Sequence, residues 1–133
     1  MANTKILEDN ISRINKKLVL FKNAKPSSVN DDEARDKWFG HANDLQDELN
    51  EAVEDVFIKV RKLQASKFQR AETLSEKHAN TITAAANVVV SETRHDTEDF
   101  DAATTRVETV VERAVRAMRS WQRGLTNVLD FDD

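Results

Sequence analysis

A single apolar stripe runs at helical spacing through the middle of this chain. It consists of Ala34, Trp38, Ala42, Leu45, Leu49, Val53, Val56, Val60, Leu63, Ala71, Leu74, Ile82, Ala85 and Val89. Steps of three and four place such side chains on one face of a helix. Unbroken, that helix would span roughly 80 Å at 1.5 Å per residue. The stripe therefore predicts an elongated helical protein with narrow apolar seams.

Composition agrees. The 133 residues include 2 glycines and 1 proline, too few for the tight turns that a sheet protein or a phosphate-cradling loop needs. Hydrophobic residues are 39% and charged residues 33%, enough for helical seams but not for a thick core. The net charge of −4 argues against a general nucleic-acid binder, which carries a basic excess. With no cysteine, disulfides, thiolate zinc sites and iron–sulfur ligation are excluded. No apolar run approaches transmembrane length. The N-terminal segment carries Glu8 and Asp9 and lacks the pattern of a signal peptide. These features predict a cytoplasmic protein, with leaderless secretion left open.

Three helices are predicted, at about 4–22, 31–90 and 97–129, in one domain spanning 1–133 with an acidic tail at 130–133. Leu7, Ile11, Ile14, Leu18 and Phe21 form a heptad seam in the first. Lys25-Pro26-Ser27-Ser28 ends it, because proline removes a donor and disfavours helix before it. Asn30 with Glu33 reads as the next cap. The second helix is expected to be continuous, although the seam shifts at Gln64–Lys67 and Phe68 lies off its line. Asp96 with Asp99 reads as an acidic cap pattern for the third helix. Its apolar face comprises Phe100, Ala103, Val107, Val110, Val111, Ala114, Met118, Trp121 and Leu125. Short connections make neighbouring helices antiparallel. The predicted fold is all-α: an elongated antiparallel helical hairpin or bundle of three helices, or four if the long one breaks, with coiled-coil-like seams. Trp38 and Trp121 are its expected structural anchors, one on each apolar face.

No catalytic residue, metal site or cofactor is predicted. Glu92-Thr93-Arg94-His95 matches a Glu-x-x-His spacing, but it falls at the expected turn and lacks further inward carboxylates. The acidic stretch Asp96–Asp101 lacks the glycine and ligand spacing of a calcium loop. Nucleophilic catalysis would need a serine or threonine beside a base, and no local arrangement suggests one. The candidate binding residues are Arg113, Arg116, Arg119 and Arg123, which with Arg106 lie opposite the apolar face of the third helix. Such a row can meet phosphates, acidic lipid or an acidic partner, or be a solvated face. The segment to Lys25 has six basic and two acidic residues, net +4. A basic amphipathic helix can lie on an anionic membrane. Docking on the acidic start of the second helix at Asp31–Asp36 is preferred, because the chain itself supplies that charge.

Trp38-Phe39-Gly40 resembles the Trp-x-Gly signature of the small helical WXG-type secretion proteins. The resemblance implies paired helical hairpins leaving by a specialised secretion system, with the motif in the turn between helices. Here the motif falls inside a predicted helix. The family's downstream export motif cannot be present, since the chain has no tyrosine. The residues by themselves read as a core tryptophan beside a tolerated helix glycine, and the chain is not assigned to the family.

The functional expectation is a non-enzymatic helical interaction or assembly protein. It self-associates, most simply as a dimer about the second helix, or it clasps a partner helix through an exposed apolar seam. The alternatives are a leaderless secreted or secretion-coupled partner or chaperone, and a peripheral membrane-binding module.

Overall fold

The computed structural model describes residues 7–94 and 96–130, without the side chains of 129 and 130. It contains four helices: α1 (Glu8–Asn23), α2 (Asp32–Val60), α3 (Ala65–Glu92) and α4 (Phe100–Asp130). No strand occurs among the described residues. The helices alternate in direction. Phe21 of α1 stacks on Trp38 of α2 at 5.3 Å, while Asn10 reaches Asp55 at the other end of α2. Trp121 near the end of α4 meets Ser75 near the start of α3. Arg106 near the start of α4 meets Glu92 at the end of α3. Each helix packs on the next, and α4 returns to α1, giving an up-down-up-down four-helix bundle in which α2 and α4 are diagonal.

The expectation of one continuous helix over 31–90 is therefore corrected. The chain reverses at Arg61–Gln64, where the amides of Lys62 and Leu63 turn back onto the carbonyls of Lys59 and Val60 and Gln64 adopts extended backbone (φ −72°, ψ 161°). This is the place where the seam shifts phase. Neither glycine nor proline forces the break. Interrupting a helix forfeits on the order of four hydrogen bonds, each worth about 0.5–1.5 kcal/mol net. Fully burying one valine or isoleucine contributes about 1.5–3 kcal/mol. Val56, Val60, Ile82 and Val89, spread along the folded-back pair, are all buried, so burial exceeds the loss. The seam that a two-helix hairpin would leave open to water is covered within the single chain. The longest dimension falls from the expected 80 Å to about 45 Å, the length of the longest helix at 1.5 Å per residue.

Boundaries elsewhere moved by a residue or a few. Asp31, rather than Asn30, caps α2: its Oδ1 accepts from the amide of Ala34 at 3.0 Å. Asp99 caps α4 in the same way, accepting from Ala102 at 3.0 Å. The expected start of the first helix at 4 and the end of the acidic tail lie outside the described residues.

The core follows the seams. Leu7, Ile14, Leu45, Leu49, Ile82, Met118 and Leu125 are fully or almost fully buried, as are both tryptophans. Trp38 stacks on Phe21, meets Phe100 edge-on at 5.2 Å, and donates through Nε1 to Thr104 Oγ1 at 3.3 Å. Trp121 meets Phe57 at 6.0 Å and donates through Nε1 to Ser75 Oγ at 2.8 Å. One indole thus ties together α1, α2 and α4 near one end. The other ties α2, α3 and α4 near the opposite end.

Trp38→Ala or Trp121→Ala should each cost about 3–5 kcal/mol in chemical denaturation, as expected for removing a fully buried aromatic side chain. Native fluorescence should be that of shielded indoles. Emission at water-exposed wavelengths would show that the buried faces are misassigned.

The helix glycines give a second check. A Cβ on Gly40 would meet nothing within 4 Å, whereas one on Gly124 would lie 2.6 Å from Leu74 Cδ2. Gly40→Ala should stabilise the fold by about 0.5–1 kcal/mol through helix propensity alone. Gly124→Ala should show no such gain, because the Leu74 side chain must move aside. Thermal unfolding of the two variants side by side reads the difference.

Candidate interaction surface

α4 divides cleanly by polarity. Its inward face is formed by Phe100, Ala103, Val107, Val111, Ala114, Met118, Trp121 and Leu125, with Val110 half-buried at the edge. Arg113, Arg116, Arg119 and Arg123 are all exposed on the remaining surface. Arg106, at the head of the row in the sequence, is engaged elsewhere: its Nε lies 2.5 Å from Glu92 Oε2 and bridges α4 to α3. Arg123 donates through Nη2 to Ser120 Oγ at 3.2 Å, which orients it along its own helix. The tertiary structure therefore keeps four of the five arginines together and removes one.

Beside this row, α3 and α4 form a shallow groove. Thr81, Ala84, Ala85 and Val88 line it from α3, and Val110 and Arg113 from α4. Small side chains on α3 leave room there, so the groove is apolar at its floor and basic at its α4 rim. Val88 and Val110 are half-buried and Ala84 is exposed, so this apolar surface faces water.

α2 presents the opposite charge. Asp36, Asp44, Asp47, Glu51 and Glu54 are all exposed, and the last four follow at steps of three and four. This ridge ends at Ile58, which is exposed, as are Val19 and Leu20 on α1. The spacing was legible in the sequence. Its position on the helix diagonal to α4 was not. Glu48 departs from the ridge and turns inward to 4% exposure, where it receives Arg13 Nε at 3.2 Å and Lys17 Nζ at 3.1 Å. Two cations on one buried carboxylate fix α1 against α2.

The expectation that the first helix docks on Asp31–Asp36 is corrected by these pairs. Arg13 and Lys17 reach the middle of α2, while Lys22 pairs with Glu108 and Lys25 with Asp101 on α4. α1 sits between α2 and α4, so its charges divide between them. Three cations of α1, and Lys25 just beyond it, thereby pair with the chain's own carboxylates. No helix among the described residues is long and apolar enough to cross a membrane.

Among the described residues, no group of three or more His, Asp or Glu side chains could hold a metal ion. Glu92 of the Glu-x-x-His spacing is bound to Arg106, and His95 lies outside the described residues. Trp38 and Gly40 lie within α2 rather than in a turn between helices. Comparison with protein-family models, curated proteins and solved structures finds no match.

The fold perturbs the ionisation of His78. Its ring stacks on Trp121 at 6.4 Å. Burial, and secondarily the charge of Lys77, hold its pKa below the ordinary 6.5. The folded state thus binds a proton at His78 less readily than the unfolded chain does. Its contribution to stability is complete above about pH 6.5 and is lost as pH falls from there through the lowered folded value. Replacement by glutamine removes this titration. Denaturation of wild type and His78→Gln at pH 7.5, 6.5 and 5.5 should show wild type losing more stability on acidification. Equal losses would mean that the imidazole is not desolvated.

Proposed function

We propose that this chain is a non-enzymatic interaction and assembly protein whose contact surface is the outer face of α4 and the groove it forms with α3. The observation that carries the reading is the exposed row Arg113, Arg116, Arg119 and Arg123 on the outer face of α4, whose first member, Arg113, rims the apolar groove floored by Ala84, Val88 and Val110. Arginine presents a planar donor fork suited to carboxylates, and an apolar floor beside it adds area that gains from losing water. Protein contact surfaces combine these two elements, with arginine enriched and apolar area at the centre. Such a surface suits an acidic amphipathic helix lying lengthwise on α4. Burial of most of the long seam inside the bundle supports a contact on this face in place of the α2 stripe.

The experiment is the quadruple variant Arg113→Gln/Arg116→Gln/Arg119→Gln/Arg123→Gln. Glutamine keeps helix propensity and removes the charge. Each change should alter stability by no more than about 0.5 kcal/mol, because all four positions are exposed. The variant should remain helical and cooperative in thermal melts while losing the protein partner that the wild type retains from its native host. Unchanged retention would identify the arginines as a solvated face. Loss of folding would show that they sit in an interface of the bundle itself. Pelleting with anionic vesicles in place of a protein partner would transfer the surface to the membrane-binding alternative.

A further inference from the structure

The arginine surface and the acidic ridge belong to one molecule, yet they cannot meet within it. α2 and α4 are diagonal in the bundle and run in the same direction, so their outer faces point away from each other. One edge presents Asp44, Asp47, Glu51 and Glu54, with exposed Ile58 a turn beyond them. The other edge presents Arg113, Arg116, Arg119 and Arg123, with Arg113 at the rim of an apolar groove. Both rows repeat every three or four residues. Two such helices laid side by side bring charges together about every 5.4 Å, one helical turn. The charges match in sign and number over a similar length, with exposed Glu112 interleaved among the arginines, and each edge adds an apolar element to its charges.

From this complementarity we propose that the occupant of the α3/α4 surface is the α2 ridge of a second copy of this chain. The inference rests on the reading of that surface as a contact site and names its partner. The contact is heterologous, since one face meets a different face. A two-fold axis cannot close it, so each copy added leaves one acidic and one basic edge free. The products are open chains or rings rather than a symmetric dimer. The interaction is carried by surface charges, so it is strongest at low ionic strength. It weakens as the Debye length contracts from about 30 Å at 0.01 M salt to about 10 Å at 0.1 M and further above that.

The test uses the full chain and two variants. One carries Arg113→Gln, Arg116→Gln, Arg119→Gln and Arg123→Gln. The other carries Asp44→Asn, Asp47→Asn, Glu51→Gln and Glu54→Gln. Sedimentation velocity at increasing protein concentration should show wild type growing beyond a dimer at low salt and returning to monomer at high salt. Each variant alone should stay monomeric, because each lacks one of the two faces. An equimolar mixture should form a particle of twice the monomer mass and no larger, since the one intact basic face meets the one intact acidic face and nothing remains to extend it. Thermal melts establish that each variant is folded. The salt series on wild type stands by itself should a variant fail to fold.

Wild type that is monomeric at low salt overturns the inference, as does a closed dimer or a mixture that remains monomeric. A distinct pattern separates this failure from failure of the functional reading. If the mixture stays monomeric while the acidic-ridge variant keeps the host partner and the arginine variant loses it, the contact surface stands and the second copy is excluded.

Discussion

Two indoles, each with its one hydrogen-bond donor satisfied by a helix hydroxyl, hold the ends of this bundle in register. A buried tryptophan contributes a large apolar area but also an N–H that is costly to leave unpaired. Thr104 Oγ1 accepts from Trp38 and Ser75 Oγ accepts from Trp121, and both hydroxyls are themselves buried. Such hydroxyls are short, so each accepts only when its helix lies at one height and one rotation. The tryptophans therefore specify which part of α3 and which part of α4 lie beside them, as well as filling space. Phe21, Phe100 and Phe57 complete the aromatic packing around the two rings.

The reversal at Arg61–Gln64 makes that arrangement reachable. Without it, the first half of α2 would lie beyond the end of the α3/α4 pair, and Trp38 would have neither Thr104 nor Phe100 beside it. With it, α3 lies antiparallel to α2, and α4 closes the fourth side against α1. The sides are not equivalent. On one, α1 is held by ionic contacts, with Glu48 buried beneath Arg13 and Lys17 and with Lys22 and Lys25 reaching α4. On the other, α3 and α4 approach closely through small residues, Gly124 lying directly against Leu74. Small side chains there leave a shallow apolar groove between α3 and α4.

Charge is sorted by the same geometry. Folded into a square of helices, α2 turns its acids to one edge and α4 its arginines to the diagonal one. The outer faces of these two helices therefore carry opposite charge.

By itself the sequence determined the helical class, the apolar faces and the tryptophan anchors. Those properties depend on local periodicity, and a step of three or four residues has the same meaning wherever the helix ends up. It also showed the arginine row, since α4 remains one helix. It did not determine the break at 61–64. No glycine or proline marks that turn, and its favourable energy comes from burying Val56, Val60, Ile82 and Val89 against partners distant in sequence. The hydroxyl partners of the indoles were likewise hidden, because nothing local distinguishes Ser75 or Thr104 from an exposed helix residue. The splitting of α1's cations between two helices, the withdrawal of Arg106 to Glu92, and the diagonal placing of acidic and basic faces were decided by tertiary structure alone. Each depends on which helices become neighbours, and that follows from the summed burial of the whole chain rather than from any one segment.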